Sequence, residues 1–386
     1  MSQESNGSTA ALPSGARRFL VTALLLMIGL HLYIGWRLLP DLGLNRTGWT
    51  AGVVFLCVSS LMIPSGMAAR FLVRSTELAD RIRWLGALLM GLFSSLLVLT
   101  LLRDVALVMT PTAWRHGLAL AVPALAAFAT IVGYVNARRI PRVAHVAVPI
   151  AGLPEPLHGF TIAQITDLHV GPTIKQSYVA GVVERLNSLG PDLIAVTGDL
   201  VDGDVEVLRP HIGPLAGMRA RHGVFAVTGN HEYYSGVAQW VPEFERLGMR
   251  VLMNEHAVVE HEGAALVVAG VTDFSAGKFD AAQASDPVRA LSRSPVGLVP
   301  AILLAHQPRS TPAAEEAGFH LQLSGHTHGG QFWPWGLFVP LQQPFTAGLH
   351  RLGRLWVYTS RGTGYWGPPK RFGAPSTGVL SGWLVQ

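Results

Sequence analysis

The chain has 386 residues, of which 49% are hydrophobic and only 14% are charged, and its mean hydropathy is +0.36. This composition excludes an ordinary soluble enzyme along the whole length, and the length allows two domains. The formal net charge of +5 comes largely from arginines beside apolar runs, which indicates contact with a membrane surface and no nucleic-acid partner. The single cysteine, Cys57, excludes an intrachain disulfide.

The first third of the chain holds most of the apolar excess. Residues 1–18 are mainly polar and small, and they are predicted to form a disordered tail. The apolar runs that follow are each close to the length of about 20 residues that a helix needs to cross a bilayer. We predict four membrane spans, at residues 19–36, 49–69, 84–102 and 118–135. Together they form a predicted transmembrane helical domain over residues 19–137.

Two other interpretations of these runs are weaker. The first run has the basic start and apolar middle of a signal peptide, but the sequence RLLP that follows it offers no small-residue cleavage site. A buried soluble helix bundle would show polar stripes, which these runs lack. Tryptophans near the run ends favour membrane spans, because an interfacial belt places them there. These residues are Trp36, Trp49, Trp84 and Trp114.

The arginines predict which side of the membrane the second domain occupies. With four spans and the N-terminus inside, the cytoplasmic side holds Arg17, Arg18, Arg70, Arg74, Arg81, Arg83, Arg138, Arg139 and Arg142. The opposite side then holds Arg37, Arg46, Arg103 and Arg115. The positive-inside rule therefore predicts an integral protein of a bacterial-type inner or plasma membrane with a cytoplasmic second domain, although an odd number of spans would invert this.

The pattern of the chain changes after the last span. Residues 138–158 form a basic, then proline-containing linker, in which the alternating VAHVAV predicts a first edge strand. From residue 159 to residue 386, short apolar strands alternate with amphipathic helical segments. This alternation predicts an α/β domain.

Five apolar strands of this domain end in polar residues. The strand at 161–166 runs into DLH, the strand at 193–197 runs into GDLVD, and the strand at 224–228 runs into GNHE. The strand at 301–305 runs into a single histidine, and the strand at 321–324 runs into GHTHGG. Open α/β sheets place their chemistry at strand ends. Two histidines at i and i+2 on a glycine-flanked turn can face one point. Carboxylate, amide and imidazole ligands without a thiolate predict a site for Zn, Fe or Mn.

The order D-x-H, G-D-x-x-D, G-N-H-[ED], H and G-H-T-H resembles the calcineurin-like dinuclear metallophosphoesterases. The resemblance covers roughly residues 143–386. It implies that residues 159–386 form the metallophosphoesterase domain of a membrane-anchored member of the family. It implies an α/β fold, a four-layer αββα sandwich, preceded by an all-α transmembrane domain of about four helices. It also implies two divalent metal ions, Mn, Fe or Zn. The implied ligands are Asp167, His169 and His328 for one metal, Asn230, His306 and His326 for the other, and Asp199 as a bridge.

The resemblance further implies hydrolysis of a phosphodiester or pyrophosphate bond by a hydroxide that bridges the two metals. His231 would stabilise the transition state or protonate the leaving oxygen. Asp202, three residues after the bridging Asp199, would hold the His231 imidazole in its orientation.

Residues outside the motifs are candidates for substrate binding. Arg361 could contact a phosphate. Asp273 could line the rim of the site, or it could be a simple turn carboxylate. Trp333 lies in FWPWGLFV, a loop too aromatic to be left in water, which could cover an acyl chain, enter the membrane interface, pack against the spans or pack as ordinary core. Lys370 and Arg371 could add positive charge nearby or form a solvated basic face.

The membrane anchor and the aromatic loop favour a lipid headgroup as the substrate. A water-soluble nucleotide is the alternative within the same chemistry, which would make the protein a nucleotide phosphodiesterase or phosphatase. A non-catalytic interaction protein on the same fold is a further alternative, disfavoured because every motif position is intact. Nothing in the sequence predicts the oligomeric state.

Overall fold

In a computed structural model, the chain divides into two compact units, Met1–Phe128 and Ala129–Gln386. The structure describes residues 14–73, 75–294, 299–376 and 379–385. Most of the predicted disordered tail, residues 1–13, lies outside the described residues, and the rest of the tail belongs to the first helix.

Within the described residues, four long helices precede the first strand. They are α1 Ser14–Leu38, α2 Arg46–Leu72, α3 Thr76–Met109 and α4 Arg115–Arg138. Each overlaps a segment that is long and apolar enough to cross a membrane. These segments are Val21–Leu42, Arg46–Arg70, Thr76–Met109 and Thr112–Arg138. The predicted order, a region of apolar helices followed by an α/β domain, is confirmed.

A network of ion pairs joins the ends of α1 and α3 in the first unit. Arg37 donates from Nε and Nη2 to the two oxygens of Asp104, at 2.8 Å each, and the Tyr33 hydroxyl donates to Asp104 Oδ2 at 2.6 Å. The buried Arg103 donates to the Arg37 carbonyl oxygen at 2.9 Å and to the Asp41 carboxylate. Because each charge has a partner of opposite sign, α3 can carry these residues beyond its apolar run.

The described part of the second unit contains two six-stranded mixed sheets. The first has the order β1 Val143–Pro149, β12 Val379–Val385, β2 Thr161–Ile165, β3 Leu193–Thr197, β4 Val224–Val227 and β5 Met249–Val251. The second has the order β10 Gly348–Leu352, β11 Leu355–Thr359, β9 Leu321–Ser324, β8 Ala301–Leu304, β7 Ala264–Gly270 and β6 Glu255–His261. β2, β3 and β4 are parallel neighbours, as are β7, β8 and β9. The carboxyl ends of each trio therefore lie along one edge of its sheet.

Three hydrophobic cores separate four layers. One core lies between the sheets and includes Ile162, Leu193 and Leu304. A second lies between the first sheet and its helices, and it includes Val179 and Trp240. The third covers the far face of the second sheet. The helices involved are α5 Gln176–Asn187, α6 Val205–Ile212 and α8 Val237–Arg246 for the first sheet, and α9 Pro287–Ala290 and α10 Thr311–Ala317 for the second.

Successive residues of a strand face opposite sides of its sheet, which explains how one short strand serves two cores. Ile194 and Val196 of β3 face the helices, whereas Leu193 and Ala195 face the other sheet. Strands buried on both faces read as continuous apolar runs, as the sequence showed. The αββα layering agrees with the predicted fold class.

Candidate metal centre and active site

The predicted site residues follow the ends of strands from both sheets. β2, β3 and β4 of the first sheet precede three of the motifs, and β8 and β9 of the second sheet precede the others. The GNHE motif opens the short helix α7 Asn230–Tyr234. All but one of the seven predicted ligands are buried. They are Asp167, His169, Asp199, Asn230, His306, His326 and His328, of which His326 is half-buried.

Asp167, His169 and His328 form one group whose ligand atoms are close enough to bind a single ion. His328 Nε2 lies 3.0 Å from His169 Nε2 and 3.5 Å from Asp167 Oδ1. Two imidazole nitrogens facing each other need a proton or a cation between their lone pairs. The structure thus brings together the three residues predicted to hold one metal.

Asp199, His306 and His326 form a second group. His306 Nε2 lies 3.0 Å from Asp199 Oδ2 and 3.2 Å from His326 Nδ1. Asp199 also belongs to a third group with His169 and His231, and its Oδ2 lies 3.9 Å from His169 Nε2. Asp199 therefore lies close to members of both predicted ligand sets, as a shared ligand requires.

The donor set fits two divalent cations. Oδ1 of Asn230 is buried and finds no hydrogen-bond donor in the described part of the chain. Buried polar atoms are nearly always partnered, so an unpartnered amide oxygen at a strand end among carboxylates and imidazoles fits a metal ligand. The set contains carboxylate, amide and imidazole donors and no thiolate, which suits Mn, Fe or Zn.

The electrostatics of the site favour bound positive charge. Burial opposes a charge on His306, but Asp199 and Asp167 outweigh it and raise the pKa of that imidazole well above its ordinary value. Burial lowers the pKa of His326 to about 3 and holds the pKa of His328 well below its ordinary value. The last two imidazoles are therefore neutral at pH 7, as metal-binding histidines must be.

The backbone is strained at most of the predicted ligands. Residues other than glycine rarely adopt a positive φ, yet five of the seven ligands do so: Asp167 at 53°, His169 at 51°, Asp199 at 53°, His326 at 70° and His328 at 51°. Each such residue costs on the order of 1 kcal/mol, and such strain persists where the surroundings impose it, typically at functional sites. The positive φ at each of these residues turns the backbone sharply just after a strand ends.

Two glycines allow the turns to approach one another closely. A Cβ atom at Gly229 would fall on Asp199 Oδ1, and a Cβ at Gly325 would fall on Asp167 Oδ2 and Thr166 Oγ1. Any side chain at these positions would displace a predicted ligand. The glycines of GNH and GHTH are therefore required by packing between the motifs.

His231 and Asp202 are in direct contact, as the sequence predicted for a catalytic histidine and the residue that orients it. His231 Nδ1 lies 2.6 Å from Asp202 Oδ1, and the same oxygen lies 3.1 Å from His169 Nδ1. Burial opposes a charge on His231, but Asp202 and Asp199 raise its pKa to about 9. Asp202 thus contacts both the predicted ligand His169 and the predicted proton donor His231. Its contact with His169 was not predicted from the sequence.

Glu232, the fourth letter of GNHE, is a buried residue beside the candidate site that the sequence did not single out. Its side chain is fully buried and accepts hydrogen bonds from three backbone amides, those of Gly229 at 2.7 Å, Asp199 at 2.9 Å and Leu200 at 2.8 Å. Burial and the charge of Asp199 raise the pKa of Glu232 to about 7, against the opposing effect of these amides. Glu232 therefore ties the GDLVD turn to the GNHE turn.

Replacing Glu232 by alanine should destabilise the site, because it leaves three buried amides without an acceptor. We expect a loss of about 3 kcal/mol of stability, which for a unit of this size lowers Tm by roughly 5–10 °C. Thermal unfolding of the purified protein measures the change. Glu245→Ala removes an exposed glutamate from α8 and should leave Tm unchanged. Equal Tm values for the two variants would show that Glu232 does not hold the turns together.

Arg371 supports the predicted ligand His328 from outside the motifs. Its Nη1 donates to the carbonyl oxygens of His328 at 2.9 Å and Arg361 at 2.7 Å, and its Nη2 lies 3.0 Å from His328 Nδ1. The alternative of a solvated basic face for Lys370 and Arg371 is wrong, because their exposed fractions are 2% and 0%. Both side chains belong to the interior, with Lys370 Nζ 5.2 Å from the Phe332 ring centroid.

The three predicted substrate-binding residues lie in different surroundings. The half-buried Arg361 packs its side chain beside Gly329, next to the predicted ligand His328. Asp273 is fully buried and accepts hydrogen bonds from Ser275 and Gln307, which agrees with the alternative of a turn carboxylate and not with a residue on the rim. Trp333 is 47% exposed.

Two aromatic residues beside His231 were not predicted. The Tyr234 ring lies 5.2 Å from the His231 ring and the Trp366 ring lies 5.7 Å from it, both edge to face. More than half of each aromatic side chain is exposed. Tyr234 could have been found from its spacing, since it lies three residues after His231 on one helix. Trp366 carries no local sequence signal.

Comparisons with known proteins identify relatives of this chain. The model of the family "Calcineurin-like phosphoesterase" matches residues 160–330. A "Transmembrane protein with metallophosphoesterase domain" of Danio rerio is 37% identical over 65% of this chain and 59% of its own length, and its Bos taurus counterpart is 37% identical over 68% and 64%. An "Uncharacterized metallophosphoesterase" of Aquifex aeolicus is 33% identical over 57% of this chain and 83% of its own length. The chain thus spans less than two thirds of either vertebrate relative.

Proposed function

Because the chain belongs to the calcineurin-like metallophosphoesterase family, we propose that it hydrolyses a phosphodiester or pyrophosphate bond. The observation that carries the proposal is the convergence of the predicted ligands from five strand ends of two sheets, where no described residue donates to the Asn230 amide oxygen. A packing cluster would satisfy that oxygen and would not bring imidazole nitrogens face to face.

Two divalent cations would be held by the residues described above, with Asp199 shared between them. When bound, they would supply an activated water at neutral pH and would neutralise charge on the phosphoryl oxygens. Mn, Fe and Zn all suit this donor set, and we propose no choice among them.

His231 would supply the proton that the leaving oxygen needs. Its Nδ1 donates to Asp202, which holds the ring so that Nε2 carries the second proton toward the site. Nε2 lies 4.0 Å from Asp199 Oδ2, so that proton is held beside the predicted bridging carboxylate. A raised pKa keeps His231 protonated at neutral pH, as a general acid requires.

The surroundings of His231 support an amphiphilic substrate. Tyr234 and Trp366 form an exposed aromatic wall beside the ring, and Arg361 lies on the side of His328, where it could bind a phosphate oxygen. An aromatic wall next to a phosphate site suits a lipid with a phosphorylated headgroup, and we propose this class of substrate.

The membrane location supports the same substrate class. The protein is membrane-associated, as its apolar helices and its relatives named as transmembrane proteins indicate. We propose that the second unit lies on the cytoplasmic side of a bacterial-type inner or plasma membrane, because the arginines beside the predicted spans are concentrated there.

A nucleotide is the second candidate substrate, since exposed aromatic rings also stack on bases. Tyr234 and Trp366 are placed to do this beside the predicted proton donor. A nucleotide needs no membrane anchor, which makes the lipid the first choice.

Turnover by the purified, full-length protein tests the function. Loaded with Mn²⁺, it should hydrolyse bis(p-nitrophenyl) phosphate, lose the activity on chelation and regain it when Mn²⁺ is returned. A panel of phospholipids, lipid pyrophosphates and nucleotides should then show preference for a lipid. Activity on nucleotides alone would overturn the lipid assignment. Metal-loaded protein that turns over no member of the panel would favour the non-catalytic alternative.

A further inference from the structure

An exposed apolar surface extends from the loop that follows the GHTH motif. The aromatic loop, defined here as residues 332–341, exposes 72% of Leu337 and 80% of Leu341, together with about half of Trp333, Trp335 and Phe338. Single exposed apolar residues are ordinary, but a contiguous set of this kind marks a surface that contacts something other than water.

The backbone of the aromatic loop is closed on itself. It forms two 3₁₀ turns, Trp335–Leu337 and Val339–Leu341, in which the Leu337 amide donates to Pro334 and the Leu341 amide donates to Phe338. The loop can therefore enter an apolar medium without carrying these amides unpaired.

The root of the loop is fixed to residues 370–372. Phe332 is buried, with the Lys370 ammonium 5.2 Å from its ring, and the Trp333 amide donates to the Phe372 carbonyl at 2.8 Å. The position of residues 370–372 therefore determines the position of the loop.

Those residues are bonded to the last turns of α4. The Arg371 amide donates to the Gly133 carbonyl at 2.8 Å, Asn136 Nδ2 donates to the Arg371 carbonyl at 3.2 Å, and Lys370 Nζ donates to Thr130 Oγ1 at 3.1 Å. Thr130 and Gly133 lie in Thr112–Arg138, a segment that is long and apolar enough to cross a membrane. The root of the aromatic loop is therefore joined, through residues 370–372, to the end of a helix that is long and apolar enough to cross a membrane.

We propose that the aromatic loop inserts into the interfacial layer of the bilayer that holds the helices of this chain. Tryptophan and phenylalanine are suited to this layer, in which an amphipathic segment sits about 5–10 Å deep. Arg138, the last residue of α4, is exposed, and its Nη1 donates to the Thr173 carbonyl oxygen at 2.8 Å. It supplies positive charge for anionic headgroups. A bilayer is favoured over a protein partner because residues 370–372, which hold the root of the loop, are joined to α4 by three hydrogen bonds.

The aromatic loop also adjoins the candidate active site. Gln331, the residue before it, donates from Nε2 to the Trp366 carbonyl at 2.8 Å and accepts from the Trp366 amide at 2.9 Å. The Trp366 ring is the one that contacts His231. An inserted loop would thus hold the entrance of the site against the membrane surface, whatever bond the site cleaves.

Site-directed fluorescence in the full-length protein tests the insertion. In a Cys57→Ala background, Leu337→Cys and Leu341→Cys receive an environment-sensitive fluorophore, and the protein is reconstituted into vesicles containing phosphatidylglycerol. Phospholipid with a nitroxide at the headgroup or upper acyl chain should quench roughly half of the emission, as expected for a probe at that depth. Aqueous iodide should quench little.

Val258→Cys is the matched control, since this apolar residue is 45% exposed on strand β6. Its probe should be quenched by iodide and not by the nitroxide lipid. A Leu337 probe that behaves like the Val258 probe would overturn the proposal. So would a probe shielded from both quenchers, which would show that protein covers the loop, either the helices of this chain or a second copy. The readout needs no turnover, so it stands apart from a failure of the proposed function.

Discussion

Replacing His231 by alanine should lower kcat on a phosphodiester by about a hundred- to ten-thousand-fold, the usual contribution of a positioned general acid. Metal content should not change, because the predicted ligands Asn230, His306 and His326 are retained. The measurement pairs turnover of bis(p-nitrophenyl) phosphate with elemental analysis of the same sample.

His158→Ala is the matched control, since it removes an exposed histidine outside the motifs. It should leave both turnover and metal content unchanged. His231 also lies in a possible ligand group with His169 and Asp199. Loss of metal in His231→Ala would therefore identify His231 as a ligand and overturn its assignment as the proton donor.

Replacing Asp199 by asparagine should remove bound metal as well as activity. Asp199 Oδ2 lies 3.0 Å from His306 Nε2 and its Oδ1 accepts from the His231 amide at 2.9 Å, so the substitution keeps the shape and removes the charge that two cations would share. We expect metal content to fall from two ions to one or fewer, and turnover to fall by about a thousand-fold or more, comparable to the loss of a principal electrostatic group.

Asp204→Asn makes the same chemical change five residues later, at an exposed position. It should bind two ions and keep full turnover. Two ions retained by Asp199→Asn would refute the bridging assignment. Activity lost with both ions present would instead give Asp199 a role in turnover alone.

The sequence was sufficient to predict the order of apolar helices, strands and amphipathic helices because the signals for them are local, whereas the four layers were implied by the family resemblance. Strands such as β3 and β8 are short apolar runs buried on both faces, and each ends at a motif. The length of α3 was less accessible. This helix continues to Met109, past the predicted span, because Arg103 and Asp104 find partners on other segments. A hydropathy pattern records their charge but not their pairing.

The same distinction separates the site residues that were predicted from those that were not. Each motif places its candidate ligands within a few residues of a strand end, and the order of the motifs carries the resemblance that implied their roles. Asp202 was predicted to touch His231, yet its second contact, with His169, depends on how two turns meet. Arg371 and Trp366 reach the site from a later loop without periodicity or motif, and only the folded chain brings them to His328 and His231.

The strand β12 completes the first sheet only late in synthesis. This strand pairs with β1 in parallel and with β2 in antiparallel fashion, so it separates two strands that come from near the start of the second unit. During synthesis, β1 emerges shortly after α4, and it has no strand to pair with until β12, residues 379–385, has been made. The nascent chain therefore carries an open sheet edge for most of the time that the ribosome spends on this unit, and such an edge is prone to pair with other chains.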